Sequence, residues 1–171
     1  MKRKIYISDG IISLSEYIES EDDYDCYNCW KNEETQNGYN HKLTKTFEEW
    51  SERTTIKSRF IATVIRLSDN ACIGAIFLSP EDTPPDLAFM IYPLYRNMGY
   101  GTRAFGLGVR CCFDVLNMDY IHAGCYPDNI ASTKIIEKCG FKPNPDGNMD
   151  EKHYLTGEKR TQYDFIIHNK N

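Results

Sequence analysis

A glycine-rich stretch, "PLYRNMGYGTRAF" at residues 93–105, carries the clearest chemical signal in the chain. Arg96, Gly99 and Gly101 stand close together between an apolar run and a segment with helical periodicity. Glycine loses more conformational freedom on folding than other residues, so the pair indicates either a turn or a close approach to the backbone. A helix that begins here presents unpaired N–H groups and a positive dipole end, which favour an anion. Two glycines would also remove side chains that block a phosphate, and Arg96 would add a charge.

Two phosphate-binding fingerprints can be compared with this stretch. No Gly-Lys-Ser/Thr follows the glycines, so the stretch is not a Walker-type P-loop. Gly99, Gly101 and Ala104 do match the dinucleotide pattern G-x-G-x-x-A, but "PLYRNM" separates them from the preceding strand and antiparallel strands come before it. A nicotinamide-dependent oxidoreductase is therefore a minor alternative.

The surrounding pattern predicts the elements that position the glycines. Residues 59–67 and 71–79 are β-branched and apolar, and "SDN" between them indicates a hairpin. Residues 87–92 and 119–126 read as strands, and residues 99–117 have a helical apolar face. These three segments predict a right-handed parallel crossover, in which the glycines lie where a strand leads into a helix. Ligands bind at such points in α/β units.

The remaining segments complete a single domain spanning residues 1–171. A first strand is predicted at residues 4–8, and residues 11–17 are expected to begin a helix. Thr46 and Glu49 have the spacing of a capping box. A later helix is capped by Asp128 or Asn129 and stops at Gly140. Residues 162–168 form a last strand, which pairs with one near residues 153–155.

Composition excludes several classes of function. The net charge of −5 leaves no basic surplus for a nucleic acid. No apolar run approaches the ~20 residues that span a bilayer, and the start does not read as a signal peptide, so we expect a cytoplasmic protein without a membrane partner. Cys26 and Cys29 form a lone C-x-x-C, and the four histidines are scattered. Ordinary reduced cysteines and no metal site are expected.

Three segments in order resemble the GNAT superfamily of acyl-CoA N-acyltransferases. "RNMGYGT" resembles the Arg/Gln-x-x-Gly-x-Gly/Ala pyrophosphate loop of that superfamily, "LAFMIYPLYR" its fourth strand, and "DNIASTKIIEKCGF" its following helix. The resemblance covers roughly residues 60–141. "YNHKLTKTFEEW" and "NIASTKIIEKCGF" look most like the branch of ribosomal-protein N-terminal (Rim-type) acetyltransferases. The implied fold is α/β (α+β), with a mixed, centrally splayed sheet flanked by helices.

The resemblance implies that acetyl-CoA is the co-substrate and assigns residues to it. The pantetheine arm would lie between the strands at residues 87–92 and 119–125, with an N–H near Ile91 stabilising the oxyanion. Asn129 would contact that arm, cap the later helix, or do both. The implied contacts of the pyrophosphate, pantetheine and acyl portions are Met90, Ile91, Tyr92, Arg96, Asn97, Met98, Gly99, Tyr100, Gly101, Thr102, Asn129 and Ser132.

The same resemblance suggests a catalytic base. The attacking amine must be neutral, and a carboxylate can take its proton directly or through water. Asp86 matches an acidic position at the start of the strand in the Rim-type branch, although it would otherwise simply end a proline-rich loop. Glu81 and Asp82 are further candidates.

The resemblance also bears on the proton donor to the leaving thiolate. Ile136 occupies the position where many family members have a tyrosine, so the usual general acid is missing. Ser132 matches a serine of the Rim-type branch and is expected to donate a hydrogen bond to sulfur. Tyr126 is another possible acid.

Together these features predict an N-acetyltransferase that moves an acetyl group from acetyl-CoA to a primary amine. The acceptor would be a small molecule or a protein N-terminus, and the enzyme a monomer or a homodimer. A non-catalytic acyl-CoA-binding module is the alternative, because of Ile136. The acidic segment at residues 16–25 would either attract a cationic amine or form a solvated face.

Overall fold

The computed structural model describes residues 3–52 and 58–170. For most of the chain, the strands and helices follow one another in the order that the sequence predicts. The strands are β1 Ile5–Ser8, β2 Ile12–Glu16, β3 Phe60–Arg66, β4 Ala71–Leu78, β5 Leu87–Ile91, β6 Tyr120–Cys125, β7 Lys142–Pro143, β8 Met149–Lys152 and β9 Lys159–His168. The helices are α1 Glu19–Trp30, α2 Glu33–Tyr39, α3 Phe47–Ser51, α4 Tyr100–Arg110 and α5 Ile130–Lys138.

The strands form two sheets that meet at one point. The first is antiparallel with the order β1-β2-β3-β4-β5, and the second has the order β6-β9-β7, with β8 also paired to β9. Among the described residues, one isolated parallel bridge joins the sheets, between Asp86 and His122. The His122 amide donates to the Pro85 carbonyl at 2.7 Å. Beyond this bridge β5 and β6 diverge, so the predicted splayed sheet is confirmed.

Helix α4 crosses from β5 to β6 and lies directly on the sheet. Ala104 and Phe105 are fully buried in the main core. Gly108 makes the close approach possible, because a Cβ there would lie 3.2 Å from a Leu87 methyl. The helix ends in a π-helical turn at Cys111–Val115, which the sequence did not predict. No helix in the described part of the chain is long and apolar enough to span a membrane.

The prediction that residues 11–17 begin a helix is wrong, because they form strand β2. The Asp9 carboxylate accepts hydrogen bonds from the amides of Ile11 and Ile12, both at 2.9 Å. Gly10 takes a left-handed φ of 87°. These features make a tight turn that returns the chain as a hairpin partner of β1. The expected partner of the last strand is also shifted, to Met149–Lys152.

Several of the predicted helix caps and stops are confirmed. Thr46 and Glu49 form both hydrogen bonds of the capping box at α3. Of the two proposed caps of α5, Asn129 is the one used, since its side chain accepts from the Ser132 amide. Gly140 has a φ of 94°, as a left-handed helix stop requires.

Helix α1 is anchored to the first sheet by a buried carboxylate. Asp22, which is 1% exposed, accepts hydrogen bonds from the Thr63 hydroxyl at 2.7 Å and from the Ile18 amide at 2.8 Å. The Arg3 guanidinium also pairs with it, at 2.5 Å. Part of the acidic segment is therefore internal structure and is not available as a solvated face.

Removing one donor from Asp22 tests this anchor. We expect Thr63→Val to lower the free energy of unfolding by about 1–3 kcal/mol, because a buried charge loses a hydrogen bond. Urea denaturation measures the loss. Thr161 makes the same bond to Asp150 at 2.7 Å on the surface, so Thr161→Val should change stability by less than about 0.5 kcal/mol. Equal losses in the two variants would contradict the anchor.

Candidate active site

The loop before α4 presents a row of unpaired amides. Asn97 and Gly99 take left-handed φ angles of 61° and 81°. The Arg103 amide donates to the Gly99 carbonyl at 3.4 Å. Within the described residues, no group accepts a hydrogen bond from the amides of residues 97–102. Such a row at a helix N-terminus forms an anion-binding concavity, which we call the amide cradle (residues 97–102).

The two glycines of the cradle serve different purposes. Position 99 favours glycine because its φ is positive, although a Cβ there would meet no atom within 4 Å. A Cβ on Gly101 would lie 3.1 Å from an Ile135 methyl carbon and 3.4 Å from the Phe89 ring. Gly101 therefore allows α4 to pack on β5 and α5. The expectation that Gly101 removes a side chain blocking the phosphate is replaced by this packing role.

The edge of β5 that faces β6 is available beyond the bridge. Phe89 and Ile91 direct their carbonyls away from β4, where they accept from the Tyr39 hydroxyl at 2.5 Å and the Arg96 Nε at 2.9 Å. Because N–H and C=O of one residue point to the same edge of a strand, their N–H groups also face the gap between the sheets. The gap thus has amide donors along one wall.

The Arg96 side chain is directed away from the cradle. Besides the Ile91 carbonyl, its guanidinium contacts Asn32 Oδ1 at 3.0 Å, Glu34 Oε2 at 2.7 Å and Thr35 Oγ1 at 2.6 Å. These acceptors lie at the start of α2. The geometry does not support the predicted contact of this side chain with a pyrophosphate, and indicates that Arg96 fixes α2 to the end of β5.

A variant separates these two roles of Arg96. We expect Arg96→Met to lower the free energy of unfolding by about 2 kcal/mol, because several charge-assisted hydrogen bonds are lost. The dissociation constant for CoA should change by less than about threefold. Chemical denaturation and calorimetry measure the two effects. A tenfold loss of CoA affinity with unchanged stability would instead show a phosphate contact.

Met90 and Tyr92 lie beside the gap without facing it. The Cys26 thiol contacts the Met90 sulfur at 3.9 Å, and the Cys72 thiol contacts the Tyr92 hydroxyl at 3.8 Å. Both side chains are buried in a second apolar cluster beneath α1. Their backbone groups pair with β4, so the structure gives them no free group at the β5 edge. Of the predicted strand contacts, only Ile91 lies on the gap in this way.

Asp86 lies at the closed end of the gap, next to a hydrogen-bonded pair. The His122 Nδ1 is 2.9 Å from Asp164 Oδ2, and Asn144 Nδ2 donates to the same oxygen at 2.6 Å. Burial, together with the negative charge of Asp164, raises the pKa of Asp86 to about 6, and His122 opposes the rise. In contrast, the side chains of residues 81 and 82 are exposed in the preceding loop.

The predicted residues of α5 lie near the opposite wall. Ile136 is buried in the main core at 2% exposure, so nothing at this position can donate a proton. Ser132 is half-buried in the first turn, and its amide donates to Asn129 Oδ1 at 3.2 Å. The capping role of Asn129 is therefore observed, and a hydroxyl at the first turn remains available.

The Tyr126 hydroxyl is engaged away from the gap. It donates to the Glu151 carboxylate, and the Arg160 guanidinium lies 3.8 Å from the ring centroid. Burial and the bond to Glu151 raise its pKa well above the ordinary range. Tyr126 therefore holds β8 and β9 to the end of β6 in this arrangement.

Helix α2 lies across the gap and contacts both sheets, an arrangement that no pattern in the sequence predicts. Tyr39 contacts β5 as described, while the Asn37 carbonyl accepts from Arg160 Nη1 at 2.8 Å. A Cβ on Gly38 would lie 3.3 Å from Asn129 Nδ2. We call these residues, with Asn40, the α2 bridge (residues 37–40).

Asp164 is a further residue of the site that the sequence analysis did not identify. Its signal in the sequence is weak, because it is a single acidic residue in a largely apolar strand.

The cysteines and histidines of the described residues form no metal site. No group of three or more His, Cys, Asp or Glu side chains there is placed to hold an ion. No disulfide joins any of the seven cysteines, all of which lie in the described ranges, and Cys26 and Cys29 are buried on the inner side of α1.

A split sheet with an amide cradle at its open end agrees with the arrangement expected of the acyl-CoA N-acyltransferase class. A family model described as "Acetyltransferase (GNAT) domain" matches residues 14–142, which is most of the chain. The protein therefore belongs to the GNAT acetyltransferase family and is an acetyltransferase. The predicted membership is confirmed. A comparison with curated proteins gives no match.

Solved structures share the fold over nearly the whole chain. A spermidine N-acetyltransferase from Vibrio cholerae, in complex with CoA and spermine, has a TM-score of 0.80 at 17% identity, covering 94% of this chain and 96% of its own. A GNAT acetyltransferase from Bacillus anthracis has a TM-score of 0.77 at 17% identity and the same coverages. A ribosomal-protein-S5-alanine acetyltransferase from Vibrio fischeri has 0.76 at 17%, covering 96% and 97%.

Proposed function

We propose that this protein binds acetyl-CoA and transfers the acetyl group to a primary amine. The observation that carries the proposal is the amide cradle at the open end of the gap between β5 and β6. The cradle's donors have no acceptor among the described residues and lie at the positive end of an 11-residue helix. Acetyl-CoA would supply a diphosphate for this cradle and an acyl group already activated as a thioester.

The gap fits the rest of the cofactor. The N–H groups of Phe89 and Ile91 face it, so this edge can pair with amide groups of a pantetheine arm and donate to a thioester carbonyl. Ser132 stands near the opposite wall, at the first turn of α5. We assign Asn97, Met98, Tyr100 and Thr102 to the cradle through their backbone amides alone.

Asp86 is the proposed base. With a pKa near 6 it is mostly ionised at neutral pH, and it is a stronger base than an ordinary aspartate. A strand rises about 3.3 Å per residue, so Phe89 lies roughly 10 Å from Asp86 along β5 and Ile91 lies farther. The proton therefore reaches Asp86 through water, and the Phe89 N–H is the better-placed oxyanion donor.

The acceptor is proposed to be a primary amine on a small molecule or a protein N-terminus. The structural neighbours named above include a spermidine N-acetyltransferase and a ribosomal-protein-S5-alanine acetyltransferase. An α-amine with a pKa near 8 is neutral more often than an alkylamine near 10.4, so it demands less of the base.

Two measurements test the proposal. Calorimetry should show saturable CoA binding that NAD does not displace. Release of free thiol from acetyl-CoA should then be followed over polyamines, peptides with free N-termini, aminoglycosides and amino acids. Absence of CoA binding would refute the proposed site.

One observation favours a second candidate, a non-catalytic acyl-CoA-binding module. Ile136 is buried where the family's tyrosine is expected, so α5 offers no phenol to the gap. CoA binding without thiol release for any amine class would support this module, whereas saturable turnover would exclude it.

A further inference from the structure

The Tyr39 hydroxyl lies on the gap edge of β5, across the gap from α5. It donates to the Phe89 carbonyl at 2.5 Å, beside the strand N–H groups that face the gap. We propose that Tyr39 is a catalytic residue whose hydroxyl turns from the Phe89 carbonyl to donate a hydrogen bond to the sulfur of the leaving thiolate. The proposal rests on the proposed acetyl transfer.

The leaving group creates the need for such a donor. As the C–N bond forms and the C–S bond breaks, the electron pair of the C–S bond moves to sulfur. An alkyl thiol has a pKa near 8.5, so the departing sulfur carries a full negative charge, which a hydrogen bond stabilises. The usual phenol is replaced by Ile136, and the Tyr126 hydroxyl is directed away from the gap, to the Glu151 carboxylate on β8. Tyr39 brings a phenol to the gap from the β5 side, opposite α5.

Burial keeps Tyr39 in its donor form. Desolvation raises the pKa of its hydroxyl well above the ordinary range, and the nearby Cys29, Cys26 and Asp86 raise it further, while Arg96 opposes them. Tyr39 therefore retains its proton throughout the reaction and acts by hydrogen bonding. The amine proton passes to Asp86, whose pKa of about 6 lies below that of the thiol, so the same proton can be returned to sulfur through water.

The α2 bridge holds the hydroxyl in place. The Tyr39 ring lies 4.8 Å from the Trp30 ring, centroid to centroid, and α2 is fixed to β5 through Arg96 and Thr35. The side chain belongs to the same buried cluster as Met90, on the face of β5 that also carries Asp86. The donor and the proposed base thus serve one face of the gap.

The test uses Tyr39→Phe and two truncated acetyl donors that differ in their thiol. With acetyl-CoA and with S-acetyl-N-acetylcysteamine, whose thiols are weakly acidic, kcat/KM should fall about 10- to 100-fold. With the S-acetyl ester of 4-nitrothiophenol, whose thiolate leaves without help, the variant should stay within about threefold of the wild type. Tyr17→Phe is the matched control, because Tyr17 bonds to Asp23 at 2.8 Å in the same cluster.

Every outcome of the Tyr39→Phe test either supports or overturns the proposed role of Tyr39. An equal loss with both truncated donors would show a purely structural role for Tyr39, and no loss with either would show no role, so both overturn the proposal. CoA affinity of the variant confirms that it is folded, and Tyr39→Met serves as a second hydroxyl-free variant if it is not. A wild type that releases no thiol from acetyl-CoA refutes the proposed function itself, which is a separate result.

Discussion

Replacing Asp86 by asparagine is expected to lower kcat/KM at pH 7 to 8 by about 10²- to 10⁴-fold, the usual range for a lost general base. Asparagine keeps the size of the side chain but cannot accept the amine proton. Steady-state thiol release with the best amine found in the screen measures the loss. Asp114→Asn, an exposed acid remote from the gap with 52% side-chain exposure, should leave the rate unchanged.

The pH dependence makes the Asp86 test sharper. In the wild type, log kcat/KM should rise with a slope of two below about pH 6, since both the base and the amine must lose protons. Above that pH the slope should be one, up to the pKa of the amine. Asp86→Asn should have a slope of one throughout. A break near pH 6 that persists in the variant would assign it to another group.

The Asp86→Asn substitution should raise the free energy of unfolding at pH 8 although it lowers activity. The folded-state pKa of Asp86 is raised above the unfolded value near 3.8, so its contribution to stability is fully present below about pH 4 and is lost as pH rises through about 6. Above that pH the wild type therefore carries a buried charge that asparagine lacks. Asp86→Asn should be more stable than the wild type at pH 8, by up to about 3 kcal/mol, with the difference vanishing near pH 4.

Thr102→Glu is expected to weaken CoA binding on the order of 10²-fold while the fold remains stable. Thr102 is the third residue of α4, where a glutamate favours the helix dipole by about 0.3–1 kcal/mol and can reach back to the amide of Gly99. That same carboxylate repels a diphosphate, and a Coulomb energy of about 3 kcal/mol at roughly 5 Å corresponds to that factor. Calorimetry with CoA and thermal unfolding measure the two opposite effects.

The neutral variant Thr102→Gln controls for the size of the new side chain. Its CoA affinity should lie within about threefold of the wild type, and added salt should narrow the difference between the two variants. If Thr102→Glu bound CoA as tightly as Thr102→Gln, the diphosphate would not lie on the amide cradle.

The central part of the fold was predictable because its signals are local. The Ser68–Asn70 turn fixed the β3–β4 hairpin, and Asn129 with Gly140 fixed the ends of α5. The helix prediction for residues 11–17 failed for a physical reason, because Ile11, Ile12 and Leu14 suit a helix as well as a strand over so short a span. The turn at Asp9 and Gly10 decided between them.

The site was predictable only where backbone and chain order define it. The cradle follows from glycine spacing next to a helix, whereas Asp86 was predicted from the resemblance to the Rim-type branch. The direction of the Arg96 side chain depends on Asn32 and Glu34, more than sixty residues away in the sequence. Tyr39 reaches Phe89 across fifty residues, and no local pattern encodes such a contact.

The α2 bridge has a consequence for how such an enzyme diversifies. Backbone pairing between the sheets is confined to the Asp86–His122 bridge in the described part of the chain, and pairing of that kind is indifferent to side-chain identity. The remaining ties through α2 depend on individual side chains, such as Asn40 donating to the Lys152 carbonyl at 2.9 Å. Under the proposed function, single substitutions at residues 37–40 are expected to change acceptor preference while the backbone bridge between the sheets stays the same. We therefore expect new substrate preferences to need few mutational steps.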